Sequence, residues 1–252
     1  MKTLLTSFYF ITLSIFSTST YAQTCQNGDC KNGYGMINHE NVELYHGFFT
    51  DGKYDGIGYL QNAKGAYYMS QFKNGKINGY TVYNETGNTT GGIFVNGVKE
   101  GIHIEFPIIP KTIKRIAITY ENGKEVSRET LVGNFKTPNP CKAGDCDNGF
   151  GIKMDGMVLT TGVFEFGDFK HGHIVNVREG VEKMFLSPGI DATQANYFVY
   201  ENVPVEKGKL EVASIYKAGK NNGQYIVVNM ALGQMGAALF KDGEQIKRYE
   251  VK

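Results

Sequence analysis

The sequence predicts an all-β fold, an elongated antiparallel sheet of stacked β-hairpin repeats. Three observations carry that expectation. An aromatic–Gly spacing recurs as Phe49-Thr50-Asp51-Gly52 with Gly56, Phe72-Lys73-Asn74-Gly75 with Gly79, and Phe94-Val95-Asn96-Gly97 with Gly101. Its Phe-to-Phe steps of 23 and 22 residues mark a repeat architecture. Five pairs, Asp51-Gly52, Asn74-Gly75, Asn96-Gly97, Asn122-Gly123 and Asp242-Gly243, favour type I′ two-residue hairpin turns, because Asn, Asp and Gly tolerate positive φ. Finally, Gly supplies 32 of 252 residues beside 16 Tyr, 16 Phe and only 6 Pro, a composition of tight turns between short aromatic-rich strands.

In chain order, residues 1–22 read as a signal peptide. Lys2 precedes a 13-residue apolar run from Leu4 to Phe16, and Thr20-Tyr21-Ala22 provides small residues for cleavage after Ala22. An uncleaved spanning anchor needs roughly 20 apolar residues. Removal of Lys2 leaves 25 basic against 25 acidic residues. That balance excludes electrostatic capture of nucleic acid and gives no support to contact with an anionic membrane surface. Lys111, Lys114 and Arg115 are the nearest approach to a basic patch and read as a solvated strand face.

All four cysteines belong to one motif used twice, Cys-x-x-Gly-Asp-Cys-x-Asn-Gly-aromatic-Gly. The copies begin at Cys25 and Cys141 and are offset by 116 residues, a sign of internal duplication. Gly-Asp supplies a turn between each pair, and an exported chain meets oxidising conditions. Cys25 with Cys30 and Cys141 with Cys146 therefore read as two structural disulfide loops. The alternative, a four-thiolate zinc site, needs both motifs adjacent and reduced. Asp145, Asp147 and Gly149 faintly suggest the start of a calcium loop, but Lys31 replaces Asp147 in the first copy, and a solvated turn fits better.

Between and after these loops the hairpins repeat. An isolated hairpin is marginal in water, whereas stacked neighbours bury a continuous face. The units read Tyr45-x-Gly47-x-Phe49-x-x-Gly52-x-x-x-Gly56-x-Gly58, Tyr68-x-Ser70-x-Phe72-x-x-Gly75, Thr90-x-Gly92-x-Phe94-x-x-Gly97 and a decayed Ile116-x-Ile118-x-Tyr120-x-x-Gly123. The second half continues with Thr160-x-Gly162-x-Phe164-x-x-Gly167, Val212-x-Ser214-x-Tyr216-x-x-Gly219 and Gly236-x-Ala238-x-Phe240-x-x-Gly243. These units resemble the MORN repeat family, most specifically over residues 45–101 and weakly over 175–210. The expected organisation is a signal peptide at 1–22 and a first half at 23–136. A linker or loop at 137–140 around Pro138 and Pro140 leads to a more divergent half at 141–252. Resumption of the pattern directly after it favours one continuous solenoid.

Chemistry-bearing residues form no persuasive constellation in the sequence, and no catalytic residue, cofactor or metal is assigned. His171-x-His173 would point both rings to one face of a strand, but no third ligand is visible and a solvated edge is the simpler reading. Glu100, Glu105, Glu121, Glu125 and Glu129 could supply a carboxylate pair only through cross-strand pairing that sequence does not reveal. Tyr67, Tyr68, Tyr80 and Tyr83 cluster about the second repeat. Alternation buries about half of such a set, and the outward half is the candidate binding surface.

The resemblance implies attachment to a protein partner or a membrane, and the neutral charge puts a protein or cell-envelope partner ahead. The expectation is an exported, periplasmic, cell-surface or secreted binding or scaffold protein without enzymatic activity. The alternative is an enzyme acting on cell-envelope polysaccharide or lipid. An individual function would sit most naturally in the unpatterned stretch, residues 175–210.

Overall fold

The computed structural model describes residues 25–39, 42–85, 87–106, 114–176, 181–186, 196–206, 209–229 and 231–249. The expected signal peptide, Lys111 and much of the 175–210 stretch lie outside the described residues. The first half supplies β1 (Cys25–Gly28), β2 (Tyr34–His39), β3 (Glu43–Thr50), β4 (Lys53–Asn62), β5 (Tyr67–Lys73), β6 (Lys76–Asn84), β7 (Thr89–Val95), β8 (Val98–Phe106), β9 (Lys114–Glu121) and β10 (Lys124–Val132). The second supplies β11 (Cys141–Gly144), β12 (Phe150–Asp155), β13 (Val158–Glu165), β14 (Asp168–Asn176), β15 (Val181–Leu186), β16 (Asn196–Pro204), β17 (Lys209–Lys217), β18 (Lys220–Asn229), β19 (Gln234–Lys241) and β20 (Glu244–Tyr249). Each half is an open ten-stranded sheet in strict sequence order, antiparallel throughout. The architecture is all-β, made of consecutive hairpins and not closed into a barrel.

Turn chemistry builds these hairpins. Asp51, Asn74, Asn96, Asn122 and Asp242 have φ of 49°, 51°, 53°, 51° and 53°, and each is followed by a Gly at positive φ. Two further turns of this kind, Phe166-Gly167 and Ala218-Gly219, carry no Asn or Asp. The tips also bond to one another, which explains residues outside the turns. The N–H groups of Gly52, Gly75, Gly97, Gly123, Gly167 and Gly243 donate to the carbonyls of Lys31, Tyr54, Ile77, Lys99, Asp147 and Asn221 in the preceding unit. The next residue in that preceding unit supplies a side-chain acceptor. Asn32, Asp55, Asn78, Glu100 and Asn148 accept from the backbone N–H of Asp51, Asn74, Asn96, Asn122 and Phe166 at 2.9–3.3 Å. Each Cys loop therefore starts its ladder: Lys31-Asn32-Gly33 does for the first tip what Tyr54-Asp55-Gly56 does for the second.

The expected continuation of one sheet through residues 137–140 is not what forms. Sheet pairing stops at β10 and restarts at β11, and the second sheet folds back over the first. Tyr34 on β2 meets Tyr249 on β20 with ring centroids 5.7 Å apart. The Ile57 N–H on β4 donates to Gln224 Oε1 on β18 at 2.6 Å. Tyr80 on β6 meets Phe198 on β16 at 6.1 Å, and Phe106 on β8 meets His173 on β14 at 4.3 Å. The ordinals of each of these four pairs add to 22, so the two strand orders run in opposite directions about the 133–140 connection. The physical cause is that each sheet has an apolar face which water would otherwise wet. One continuous core joins Tyr59, Met69 and Ile104 to Tyr200, Ile226 and Val228. Gly56 is favoured at this junction by its φ of 109°, a conformation that L side chains rarely adopt.

The outer face of the first sheet carries a second cluster, Ile37, Tyr45, Phe49, Tyr54 and Phe72. Tyr45 is fully buried and stacks on Tyr54 at 3.6 Å and 10°. The free sheet edges are protected in two ways. Disulfides Cys25–Cys30 and Cys141–Cys146 staple the short β1 and β11. β10 and β20 are solvent-exposed along nearly their whole length and bear Lys124, Glu125, Arg128, Glu129, Glu244, Lys247 and Arg248, charges that disfavour edge-to-edge pairing.

Candidate functional site

The tyrosines singled out in the sequence do not form an exposed platform. Tyr80 and Tyr83 are 5% and 3% exposed. Alternation directs Tyr67 and Tyr80 inward, where the second sheet covers them. Tyr68 and Tyr83 face outward, stacked at 5.9 Å. The Tyr68 hydroxyl donates to Glu85 at 2.7 Å, and Glu85 also holds the Lys99 ammonium at 2.7 Å. That ammonium sits 4.6 Å from the Tyr83 ring centroid. Tyr83 in turn meets buried His103, its hydroxyl 2.9 Å from Nδ1. His103 Nε2 lies 2.9 Å from the Ile93 carbonyl, which can only accept, so Nε2 carries the proton and Nδ1 accepts from Tyr83. Burial holds the His103 pKa down to about 4, so the ring is a neutral packing element.

The remaining candidates are likewise structural. His173 is 3% exposed and packed on Phe106. Burial, with a smaller contribution from the Arg115 charge, lowers its pKa to about 3. His171 is half-buried and its pKa is also lowered by burial. The solvated-edge reading of this pair is thus corrected: the opposing sheet covers it. Arg115 is corrected too, its guanidinium lying 5.1 Å from the Phe106 ring centroid. Glu100 caps a turn, Glu105 accepts from Asn88 Nδ2 at 2.9 Å, and Glu125 makes a two-pronged contact with Arg128 at 2.8 Å. The Cys residues are spent in disulfides, which leaves no thiolate for a zinc site. Asp145 accepts from the N–H groups of Asp147 and Asn148, and these bonds hold its pKa below the ordinary carboxylate value. It organises a turn.

A less conventional place lies on the outer face of the second sheet. Paired glycines align the halves: Gly35, Gly47 and Gly58 lie side by side across β2, β3 and β4, as do Gly151, Gly162 and Gly172 across β12, β13 and β14. The alignment equates Tyr45 with Thr160, its cross-strand partner Ile37 with Lys153, Phe49 with Phe164, and Tyr54 with Phe169. In the first half the Tyr45 ring lies over Gly47 and Gly58 and its hydroxyl donates to the Phe48 carbonyl at 3.0 Å. In the second half Thr160 provides no ring. Phe169 leans over Gly162, its Cε2 2.6 Å from where a Cβ would stand. A recess of about 310 Å³ remains, lined by Lys153, Asp155, Val158, Thr160, Phe164 and Phe169, with Gly167 also contributing. The Lys153 ammonium lies 6.0 Å from the Phe164 ring centroid, and the two Phe rings meet edge-on at 5.8 Å.

Gly167 belongs to the adjoining hairpin tip, whose first residue is Phe166. Phe166 has φ of 51° and is 87% exposed. Met157 and Val158, at the other end of β13, are exposed as well. The sequence carries the signal, an aromatic where five other tips have Asn or Asp.

Fold and surface together define a class: a disulfide-capped, all-β repeat protein in which two hairpin sheets pack face to face. No protein-family model and no curated protein matches the chain.

Proposed function

We propose that the chain is an exported MORN-type repeat protein that binds a protein or cell-envelope partner through its hairpin surface and performs no catalysis. The observation that carries this reading is Phe166. A large apolar ring in water on a left-handed residue returns little to the fold, and such costs concentrate at functional positions. The hydrogen-bonded row of tips supplies a rigid mount for it, and Val95 and Val98 expose further apolar surface beside the Asn96-Gly97 tip. Rigid presentation lowers the entropy lost on association. The two disulfides are compatible with a periplasmic or extracellular location.

Photo-crosslinking from positions 95 and 166 in the envelope of the source cell tests the reading. Discrete protein adducts at either position are expected. Release of reducing ends or fatty acid from envelope material by the purified protein would overturn it in favour of an enzyme.

A further inference from the structure

We infer that the row of hairpin tips is a self-association surface, whose occupant is a second copy of this chain docked tip to tip about a two-fold axis. The inference rests on the protein-partner reading above and deepens it by naming one partner. Two observations define the surface. The tips of both sheets lie at one end of the strands, because the hydrogen-bonded Ile57 and Gln224 each stand five residues after a tip Gly, Gly52 and Gly219. Within each sheet, tips are bonded to one another through their Gly N–H groups, so the surface is preorganised and loses little entropy on docking.

Charge is distributed unevenly along this surface, although the chain as a whole is nearly neutral. Over the stretch from two residues before each tip Gly to four after it, and over 29–33 and 145–149 in the Cys loops, the described tips divide into two sets. Those far from the 133–140 connection, at Gly52, Gly75, Gly219 and Gly243 with the first Cys loop, sum to +3. Those near it, at Gly123 and Gly167 with the second Cys loop, sum to −4. Lys73 and Lys76 flank one tip, Lys217 and Lys220 flank a tip on the facing strands of the second sheet, and all four are exposed. Glu121, Asp147, Glu165 and Asp168 are exposed in the other set. Between the sets lies the β7–β8 tip, with no net charge and with Val95 and Val98 exposed.

A two-fold axis normal to the sheets and through the β7–β8 tip reverses this order in the second copy. The Gly75 and Gly123 tips stand one hairpin to either side of that tip, so Lys76 of each copy comes opposite Glu121 of the other. In the second sheet the Gly219 and Gly167 tips flank the β15–β16 hairpin in the same way, which brings Lys220 opposite Asp168. The valines of the two copies meet at the centre. An axis along the row would instead oppose like charges. An apolar centre inside a charged rim is the make-up of a protein interface, and complementary fields set its orientation. Phe166, on a carboxylate tip, meets lysine stems of the other copy, whose methylenes and ammonium groups suit a ring face. Strands about 4.8 Å apart and sheets about 10 Å apart give a tip face of roughly 45 by 18 Å, on the order of 800 Å² per copy. That is the standard size of a stable interface.

Sedimentation velocity of the purified, full exported chain tests the pairing. A dimer is expected at about 20 mM salt and a monomer at about 500 mM, where screening reaches only a few ångströms. The variants K76E/K220E and E121K/D168K each bring like charges together across the interface, and each is expected to weaken self-association about tenfold or more. Their equimolar mixture restores opposite signs at every one of these contacts, so a mixed dimer of native affinity is expected. Such rescue also shows that both variants are folded. A chain that stays monomeric at low salt, variants that dimerise as the native protein does, or a mixture that remains monomeric would each overturn the inference. So would a monomer captured at low salt by vesicles of anionic phospholipid, which would give the lysine tips a different occupant. The two readings fail separately. A monomeric purified chain leaves crosslinks from positions 95 and 166 to another envelope protein standing, and absence of those crosslinks does not change the sedimentation of the purified chain.

Discussion

Replacing Phe166 by Asn is expected to stabilise the protein, although it deletes a large apolar side chain. Phe166 occupies the left-handed region at φ 51°, which costs an L-residue roughly 1–2 kcal/mol and Asn a good deal less. The opposing loss is small. With 87% of the residue exposed, only about an eighth of an area of roughly 200 Å² is buried. At about 25 cal/mol per Å² that burial contributes about 0.6 kcal/mol. The turn therefore wins by about 0.5–1 kcal/mol, a rise in Tm of about 1–4 °C for a chain of this length. The Asn148 side chain still caps the residue 166 N–H, because that bond uses only backbone. F166A separates the two contributions: it removes the ring but keeps a Cβ in the left-handed conformation, and its stability should fall slightly. Thermal and urea unfolding of the three proteins measures both differences. A Tm for F166N below that of the unsubstituted chain would refute the reasoning, since it would mean the ring returns more to the fold than its exposure allows.

Four further outcomes are expected. Substituting Asn78 by Ala removes the acceptor for the Asn96 N–H at 2.9 Å and should cost about 0.5–1.5 kcal/mol, read as faster amide exchange at Asn96 and Gly97 than at Asn122. Alkylation before and after reduction should show by intact mass that all four thiols are blocked in the exported protein. Replacing Cys25 and Cys30 by Ser should then lower stability by about 2 kcal/mol, the chain-entropy value for so short a loop. Acid should destabilise the fold through its buried histidines. Burial lowers His46 to about 3, His103 to about 4 and His173 to about 3, so below pH 6.5 the unfolded chain binds more protons than the folded one. Stability is complete above that pH and declines toward pH 4, by up to about 1.4 kcal/mol per pH unit for each histidine. A flat urea midpoint between pH 7 and 4.5 would contradict their neutral burial.

What could be read from the sequence was local. Asn74-Gly75 encodes its own turn, because the φ preference belongs to the residues themselves, and Cys25 and Cys30 are close enough along the chain to announce a loop. The Asn-Gly step in each Cys motif was visible, yet its task of capping a tip about 20 residues later depends on how units stack. Tyr80 and Tyr83 illustrate the larger limit. Period-two alternation separates the faces of a strand but does not say which face a second sheet will cover. His173 looked solvated for the same reason, as Phe106 is 67 positions away in sequence. The repeat pattern itself places Thr160 where Tyr45 stands, but the rings around either residue, Tyr54 and Phe72 in one half and Phe169 in the other, come from neighbouring strands.

The reversed strand order has a consequence for how the molecule closes. Within a sheet every pairing is between sequence neighbours, so each half can zip hairpin by hairpin with short loops. Between sheets the loop closed by each facing pair lengthens outward from the 133–140 connection, through Phe106 with His173 and Tyr80 with Phe198 to Tyr34 with Tyr249. Each doubling of that loop adds only about 0.6 kcal/mol of entropy cost, and a pair already docked shortens the loop for the next. The molecule is in effect a hairpin whose two arms are themselves sheets, and closure from its bend outward brings the Cys25 loop against the carboxyl-terminal strand last. A chain that emerges amino end first can thus complete its first sheet before the other arm is available, with that sheet's apolar face waiting for the strands that follow.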